Sequence, residues 1–396
     1  MPFESLALQP ADPLLKIIGA FRGDPRHGKI DLGVGVFRDE QGHTPVMRAV
    51  KQAEERLLRE QQSKSYLGPE GDKRFLDLLA EAVFGNDVPA GRRSGLQTPG
   101  GTGALRLAAE LLARAGVKRI WMAAPSWANH APVFLQAGVE SMLVNAFDVP
   151  AQRFDLPAFL EALGTAAPGD AVLLHGCCHN PMGIDPDPLG WRAIAEVIAT
   201  RGLLPLVDLA YQGLGDGFEE DAMGARIVLA GAPFGLLAYS CDKNFGLYRE
   251  RTGALWVTAP DEARGAVAQS NLLALARANW SMPPDHGAAV VRVILEDAAL
   301  TRIWLEELDA VRNRLGAIRR ALAAEGRIGA VNLTPVARGK GMFATLPLSR
   351  SQIEWLRDEH AIYLAGSGRI NVAGFDMPGI ARFRDALRAM DRAGIA

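Results

Sequence analysis

From about residue 95 to residue 260 the chain alternates short apolar runs with amphipathic stretches. The runs Arg119–Ala123, Ala171–His175, Leu203–Asp208, Gly235–Ser240 and Ala254–Thr258 show no strict apolar/polar alternation. They therefore predict strands covered on both faces. Stretches such as Thr102–Ala115 and Gly190–Arg201 fall between them and predict helices. This order gives an α/β fold with a mostly parallel sheet, in which ligands bind beyond the carboxyl ends of the strands.

After Asp297 the period changes. Leu300, Trp304, Leu308, Val311, Leu315, Ile318 and Leu322 recur three and four apart, predicting a long helix that ends near Gly326. A smaller α/β unit follows, with strands near Gly341–Leu346 and Arg369–Val372 and helices near Gln352–His360 and Gly379–Ala393. Ser349 and Gln352 suit a capping box, and Pro378 and Gly394 bracket the last helix. The expected division is an arm over residues 1–45, a large domain over 46–310 and a small domain over 311–396. The arm carries strand and turn signals without a core, so it should pack on the C-terminal unit or on a partner subunit.

Composition narrows the function. The chain has 396 residues, 48% of them hydrophobic and 22% charged, with a net charge of −2. That suits a globular protein with a sizeable core, and no basic field points to nucleic acid. No polybasic run points to a membrane surface. The longest apolar run, Ile227–Tyr239, is broken by Pro233 and two glycines and is too short to span a bilayer. No basic start followed by an apolar stretch marks an export signal. Cys177, Cys178 and Cys241 fit reduced thiols in the cytoplasm better than a disulfide framework. Cys177, Cys178 and His179 have the wrong spacing for zinc, and no metal is expected.

Lysine usage singles out one residue. Only 8 of the 43 basic residues are lysines, and Lys243 is the only one between Lys118 and Lys340. It follows the apolar run ending in Tyr239-Ser240-Cys241-Asp242. Arginine can replace lysine wherever a cation suffices, but it cannot form an imine. A lysine at the end of a buried strand is thus a candidate covalent group, against the commoner reading of a surface lysine.

Other segments offer complementary chemistry. In Gln97-Thr98-Pro99-Gly100-Gly101-Thr102-Gly103, glycines precede a helix that Thr102 could cap, and such a helix start suits phosphate. It matches neither the P-loop nor the dinucleotide fingerprint, and alone it is an ordinary turn. Asp208 ends an apolar run, where a carboxylate needs a partner such as a protonated ring nitrogen. Tyr211, three residues on, could present its hydroxyl to the same ligand. Asn180, in the turn His179-Asn180-Pro181, could give its amide to a ring oxygen. Trp127 could stack on a flat ring. Arg251 is a plausible phosphate clamp, and Arg369, in an otherwise apolar strand, needs an anion such as a substrate carboxylate. Each of these has a bland alternative: a helix cap for Asp208, core packing for Tyr211 and Trp127, a structural ion pair for either arginine. Together they describe one ligand, pyridoxal 5′-phosphate.

Nearly the whole chain resembles the aspartate and aromatic amino acid aminotransferases, class I enzymes with the type I fold of pyridoxal-phosphate-dependent transferases. The resemblance runs from Pro10-Ala11-Asp12-Pro13 and Ile30-Asp31-Leu32-Gly33-Val34-Gly35, through His175-Gly176-Cys177-Cys178-His179-Asn180-Pro181, to Gly368-Arg369-Ile370-Asn371-Val372-Ala373-Gly374. It implies that Lys243 bonds the cofactor and shuttles the proton. Asp208 would pair with the ring nitrogen, Tyr211 and Asn180 would hold the ring oxygen, and Trp127 would stack over the ring. Gly101, Thr102, Ser240 and Arg251 would bind the phosphate, joined by Tyr66 from a second subunit. Arg369 would clamp the substrate α-carboxylate beside Gly35, with Trp127 and Asn180 also contacting substrate. Arg277 would reach across the interface to a side-chain carboxylate, and His130 and His175 would support Asp208. The implied enzyme is a cytoplasmic homodimer that moves an amino group from an L-amino acid, aromatic or aspartate, to 2-oxoglutarate.

Four positions depart from the family pattern. Asp242 replaces a serine directly before the lysine, Met182 a threonine, Phe37 a tyrosine and Met282 an asparagine. Asp242 could disturb the phosphate contacts or raise the pKa of Lys243. It also keeps open a β-lyase or decarboxylase on the same scaffold. A non-catalytic ligand-binding protein is the third reading, and the intact set of Lys243, Asp208 and Arg369 argues against it.

Overall fold

The computed structural model describes residues 2–8 and 13–395. Pro10-Ala11-Asp12 of the quoted N-terminal motif lies outside them. The central elements run in the order β1 (Arg93–Pro99), α1 (Gly100–Arg114), β2 (Arg119–Ala124), β3 (Glu140–Asn145), β4 (Ala171–His175), α2 (Pro188–Arg201), β5 (Leu204–Leu209), β6 (Gly235–Ser240), β7 (Thr252–Thr258) and α3 (Ala298–Ala324). The seven strands form one sheet in the order β1-β7-β6-β5-β4-β2-β3. Neighbours pair in parallel except around β7, which is antiparallel to both β1 and β6.

The unbroken apolar character of β5 and β6 has a direct cause. Leu237 and Tyr239 feed the core on one side of the sheet, while Leu236 and Ala238 feed the core on the other. Side chains alternate across a strand, so a strand between two cores has no polar face. Two strands, β1 and β3, carry no such signal. Strand β1 is polar and includes Gly95, where a Cβ would lie 2.2 Å from the indole of Trp256. Strand β3 is an edge with Glu140 and Asn145 exposed.

Helix α1 begins at Gly100, two residues before Thr102, so Thr102 sits in its first turn and does not cap it. Pro99 holds the cap position and supplies no side-chain bond. The strand before Cys177 ends at His175, which leaves both adjacent thiols buried in a bend. They lie within 4.8 Å of the Asp221 carboxylate. That carboxylate accepts the backbone N–H groups of Gly213, Gly215 and Asp216, so it braces a loop.

Residues 30–31 pair in parallel with Ile362–Tyr363 of the C-terminal unit. Pro13–Gly23 is a helix where strand and turn signals stood. In the C-terminal unit Phe343–Thr345 pairs antiparallel with Arg369–Asn371. Ser349 and Gln352 form both halves of the capping box that starts Arg350–His360. No helix among the described residues is long and apolar enough to cross a membrane.

Candidate active site

A cavity opens beyond the carboxyl ends of β4, β5 and β6. Its walls include Gly101, Thr102, Trp127 and Asn180, and Asp208, Tyr211, Ser240 and Lys243 face it from the remaining sides. Ten of the residues singled out in sequence, His175 and Asp242 among them, therefore converge on one space, although they are spread over more than 140 positions of chain.

Lys243 lies in a turn that follows β6, and the turn is fixed from below. Phe245 stacks on Trp304 of α3 with ring centres 4.3 Å apart. The Trp304 indole donates to the Asn244 carbonyl at 2.7 Å, and the Asn244 amide donates to Tyr239 Oη. Nζ of Lys243 lies 5.5 Å from the centre of the Tyr211 ring and 3.7 Å from Asp242 Oδ2. Burial pulls its pKa below the ordinary 10.5, while the Asp242 and Asp208 carboxylates partly oppose that shift.

Asp208 is buried near the end of β5 and begins a chain of hydrogen bonds. Its Oδ2 is 3.1 Å from His130 Nε2. Nδ1 of His130 is 2.8 Å from Ser126 Oγ, which is 3.1 Å from His175 Nε2. His175 Nδ1 accepts the Asn180 N–H at 3.4 Å. That last contact fixes the tautomers of the whole chain: His175 Nε2 donates to Ser126, Ser126 to His130 Nδ1, and His130 Nε2 to Asp208. Burial drives the His175 pKa down to about 3, with the neighbouring His130 adding to the effect, so His175 stays neutral. Burial alone would raise the Asp208 pKa, but the His130 hydrogen bond and nearby positive charge outweigh it, and the pKa lies below the ordinary carboxylate value. Ser126 was not among the sequence candidates. Its only signal is the four-residue spacing to His130.

Asn180 Nδ2 donates to Tyr211 Oη at 3.2 Å, and Asn180 Oδ1 is buried without a partner. Burial raises the Tyr211 pKa, so its hydroxyl stays protonated. Trp127 meets His130 edge-on at 5.1 Å.

At the end of the cavity formed by the start of α1, Gly100 has φ +70°, and a Cβ there would lie 2.5 Å from Arg251 Nη2. A Cβ on Gly101 would lie 3.0 Å from Ser240 Cβ. Both glycines keep the start of α1 open, with its first N–H groups uncapped. Arg251 has a carboxylate of its own: Nη1 donates to Asp242 Oδ2 at 2.6 Å. The ion-pair alternative for this arginine is therefore realised in the structure.

Arg369 differs. Its Nη2 donates to the Gly33 carbonyl at 2.7 Å, its guanidinium lies 4.7 Å from the centre of the Phe343 ring, and its Nε is buried without a partner. Among the described residues no carboxylate pairs with it, and burial lowers its pKa. Gly35 rests against the same Phe343 ring, and Asn371 anchors the Val34–Val36 segment through two carbonyls.

Tyr66 and Arg277 do not line the cavity. Tyr66 is 92% exposed, and Arg277 contacts Ser281 on the surface. Met282 Sδ, near Arg277 in sequence, accepts the Leu67 N–H.

A pyridoxal phosphate fits this donor set. A buried carboxylate held ionised, an amide and phenol pair, an uncapped helix start and a lysine with a lowered pKa surround one space. The family model described as Aminotransferase class I and II matches residues 27–387. A tyrosine aminotransferase of Rhizobium meliloti is 53% identical over 94% of this chain and 96% of its own length. The aspartate aminotransferase of Escherichia coli is 42% identical over 98% of this chain and 100% of its own. The structure of an aromatic amino acid aminotransferase from Burkholderia pseudomallei, covalently bound to pyridoxal phosphate, superposes with a TM-score of 0.94. It is 34% identical and covers 98% of this chain and 99% of that one.

Proposed function

This chain belongs to the class I and II aminotransferases, pyridoxal-phosphate-dependent enzymes, and from that premise we propose how its own residues divide the work. The observation that carries the proposal is Lys243: a half-buried amine with a lowered pKa, facing an ionised Asp208 across one cavity.

Bound there, pyridoxal phosphate supplies a ring that accepts the electron pair released as a substrate Cα loses its proton. Lys243 bonds the cofactor aldehyde through Nζ. Freed from that bond, Nζ would take the substrate Cα proton and deliver it to the cofactor carbon that carried the aldehyde oxygen. Asp208 holds negative charge against the ring nitrogen. The chain from Asn180 N–H through His175, Ser126 and His130 keeps it ionised and oriented. Tyr211 and Asn180 hold the ring oxygen, and Trp127 forms one wall of the ring site. The N–H groups at Gly101 and Thr102, with Ser240 Oγ and Arg251, hold the phosphate. Arg369, without a carboxylate of its own, takes the substrate α-carboxylate, and Gly35 borders that place.

Tyr66 and Arg277 serve the site of a second subunit, Tyr66 at the phosphate and Arg277 at a side-chain carboxylate. Their exposure, and their absence from the lining of this chain's own cavity, support a homodimer. The arm and C-terminal unit, residues 1–45 and 311–396, act as a small domain beside a large one over 46–310. The strand pairing of residues 30–31 with Ile362–Tyr363 supports that division. Three free, buried cysteines favour the cytoplasm.

The substrates are an aromatic or dicarboxylic L-amino acid and 2-oxoglutarate. Met282 and Phe37, apolar or less polar than the family residues, favour tolerance of aromatic side chains. The test is a donor panel of aspartate, tyrosine, phenylalanine and tryptophan with 2-oxoglutarate. Oxo acid and glutamate should form in equal amounts. Release of ammonia or carbon dioxide instead would overturn transamination.

A further inference from the structure

The phosphate end of the cavity already contains an anion. Asp242 lines the same space as Gly101, Thr102 and Ser240, and its side chain is 6% exposed. One carboxylate oxygen takes Arg251 Nη1 at 2.6 Å and lies 3.7 Å from Lys243 Nζ. The other, Oδ1, is buried and has no hydrogen-bond partner among the described residues. The backbone N–H of Asp242 donates to Ser240 Oγ at 3.3 Å. Arg251, Ser240 and the lysine, three groups suited to a phosphate or its neighbourhood, thus already contact residue 242.

We propose that Asp242 is an internal competitor for the cofactor phosphate. It occupies Arg251 in the empty chain and reduces what the phosphate adds to affinity, so this enzyme exchanges cofactor more readily than one with an uncharged residue at 242. The inference rests on reading this cavity as the pyridoxal phosphate site.

Two effects oppose each other here. A carboxylate on Nη1 orients the guanidinium, which favours phosphate binding by about one charge-assisted hydrogen bond. Against that, a phosphate dianion brought to the same guanidinium meets, at short range, a carboxylate that is itself buried. Repulsion there grows with the product of the charges and is poorly screened by salt. Asp242 touches Arg251 through Oδ2 only, which leaves Oδ1 buried without a hydrogen-bond partner. Repulsion wins. The same carboxylate also supports the positive charge on Lys243, so the affinity for the whole cofactor mixes two influences. Only the phosphate's own share isolates the first.

That share is measured by titrating the cofactor-free chain with pyridoxal phosphate and with pyridoxal, which keeps the ring and aldehyde but lacks the phosphate. Visible absorbance reports binding at Lys243 in each case. The ratio of the two dissociation constants is compared among wild type, Asp242→Asn and Asp242→Ser. The preference for the phosphorylated ligand should rise about tenfold or more in both variants. An unchanged ratio, even with both ligands binding more tightly, overturns the inference, because Asp242 would then act only on Lys243. A lower ratio overturns it too, because Asp242 would then serve mainly to orient Arg251. If the wild-type chain gains no visible band with pyridoxal phosphate, the reading of the cavity falls and the inference falls with it.

Discussion

In the proposed mechanism Lys243 captures an aldehyde only while its amine is uncharged. Burial favours that form, and the carboxylates of Asp242 and Asp208 oppose it, with Arg251 on the side of burial. The free amine gains with rising pH, and because its pKa is lowered the gain levels off earlier than for an ordinary lysine. The rate of cofactor uptake by the empty chain should therefore rise with pH to a midpoint below 10.5. In Asp242→Asn the midpoint should drop further, because the principal opposing charge is gone. Stopped-flow absorbance across pH checks both; a midpoint at or above that of free lysine contradicts the account. At this scale the sequence singled out groups that the fold brings to one cavity, because they stand in contiguous motifs and in unusual surroundings. It did not reveal Ser126, whose role comes from standing between His130 and His175 in space. It raised a disturbance of the phosphate contacts by Asp242, but the 2.6 Å pairing with Arg251 needed coordinates.

Among the elements, helix α1 carries the proposed phosphate end, and its first residue is the most exacting. At φ +70° any Cβ on residue 100 is strained, and it would also lie 2.5 Å from Arg251 Nη2. Gly100→Ala should destabilise the fold by about 1–2 kcal/mol. It should also weaken pyridoxal phosphate binding, because Arg251 must shift. Urea unfolding and a cofactor titration measure the two, and wild-type values for both would contradict the role given to this turn. The strands between two cores were legible because burial on both faces leaves one signature, an apolar run. Strand β1 was not, since its polar residues and Gly95 reflect packing under Trp256 and pairing with β7. Strand β3 was hidden for the opposite reason, being a half-exposed edge. The start of α1 was misplaced by two residues because glycines ahead of Thr102 read as a turn, whereas two of them already belong to the helix.

For the whole molecule, the account requires each site to borrow from a partner subunit. Lys243→Ala removes the covalent group from a subunit's own site, and Arg277→Ala removes the side-chain clamp from its partner's site. Neither pure variant should transaminate aspartate well. Mixed dimers would contain one intact site, built from Lys243 of one subunit and Arg277 of the other. Mixing after mild unfolding and refolding should restore up to about a quarter of wild-type aspartate activity. A mixture no better than the sum of its parts would mean that Arg277 does not act in trans. The family and α/β fold were legible along nearly the entire chain. The proposed roles of Tyr66 and Arg277 in a partner's site rest on resemblance alone, because on one chain both are merely exposed side chains.

The central claim is the bond between Lys243 and pyridoxal phosphate. Borohydride reduction of the cofactor-loaded protein, followed by digestion and mass spectrometry of the fragments, tests it most directly. The account predicts one modified peptide, carrying the reduced cofactor on Lys243. A label on another lysine, or none at all, would contradict it.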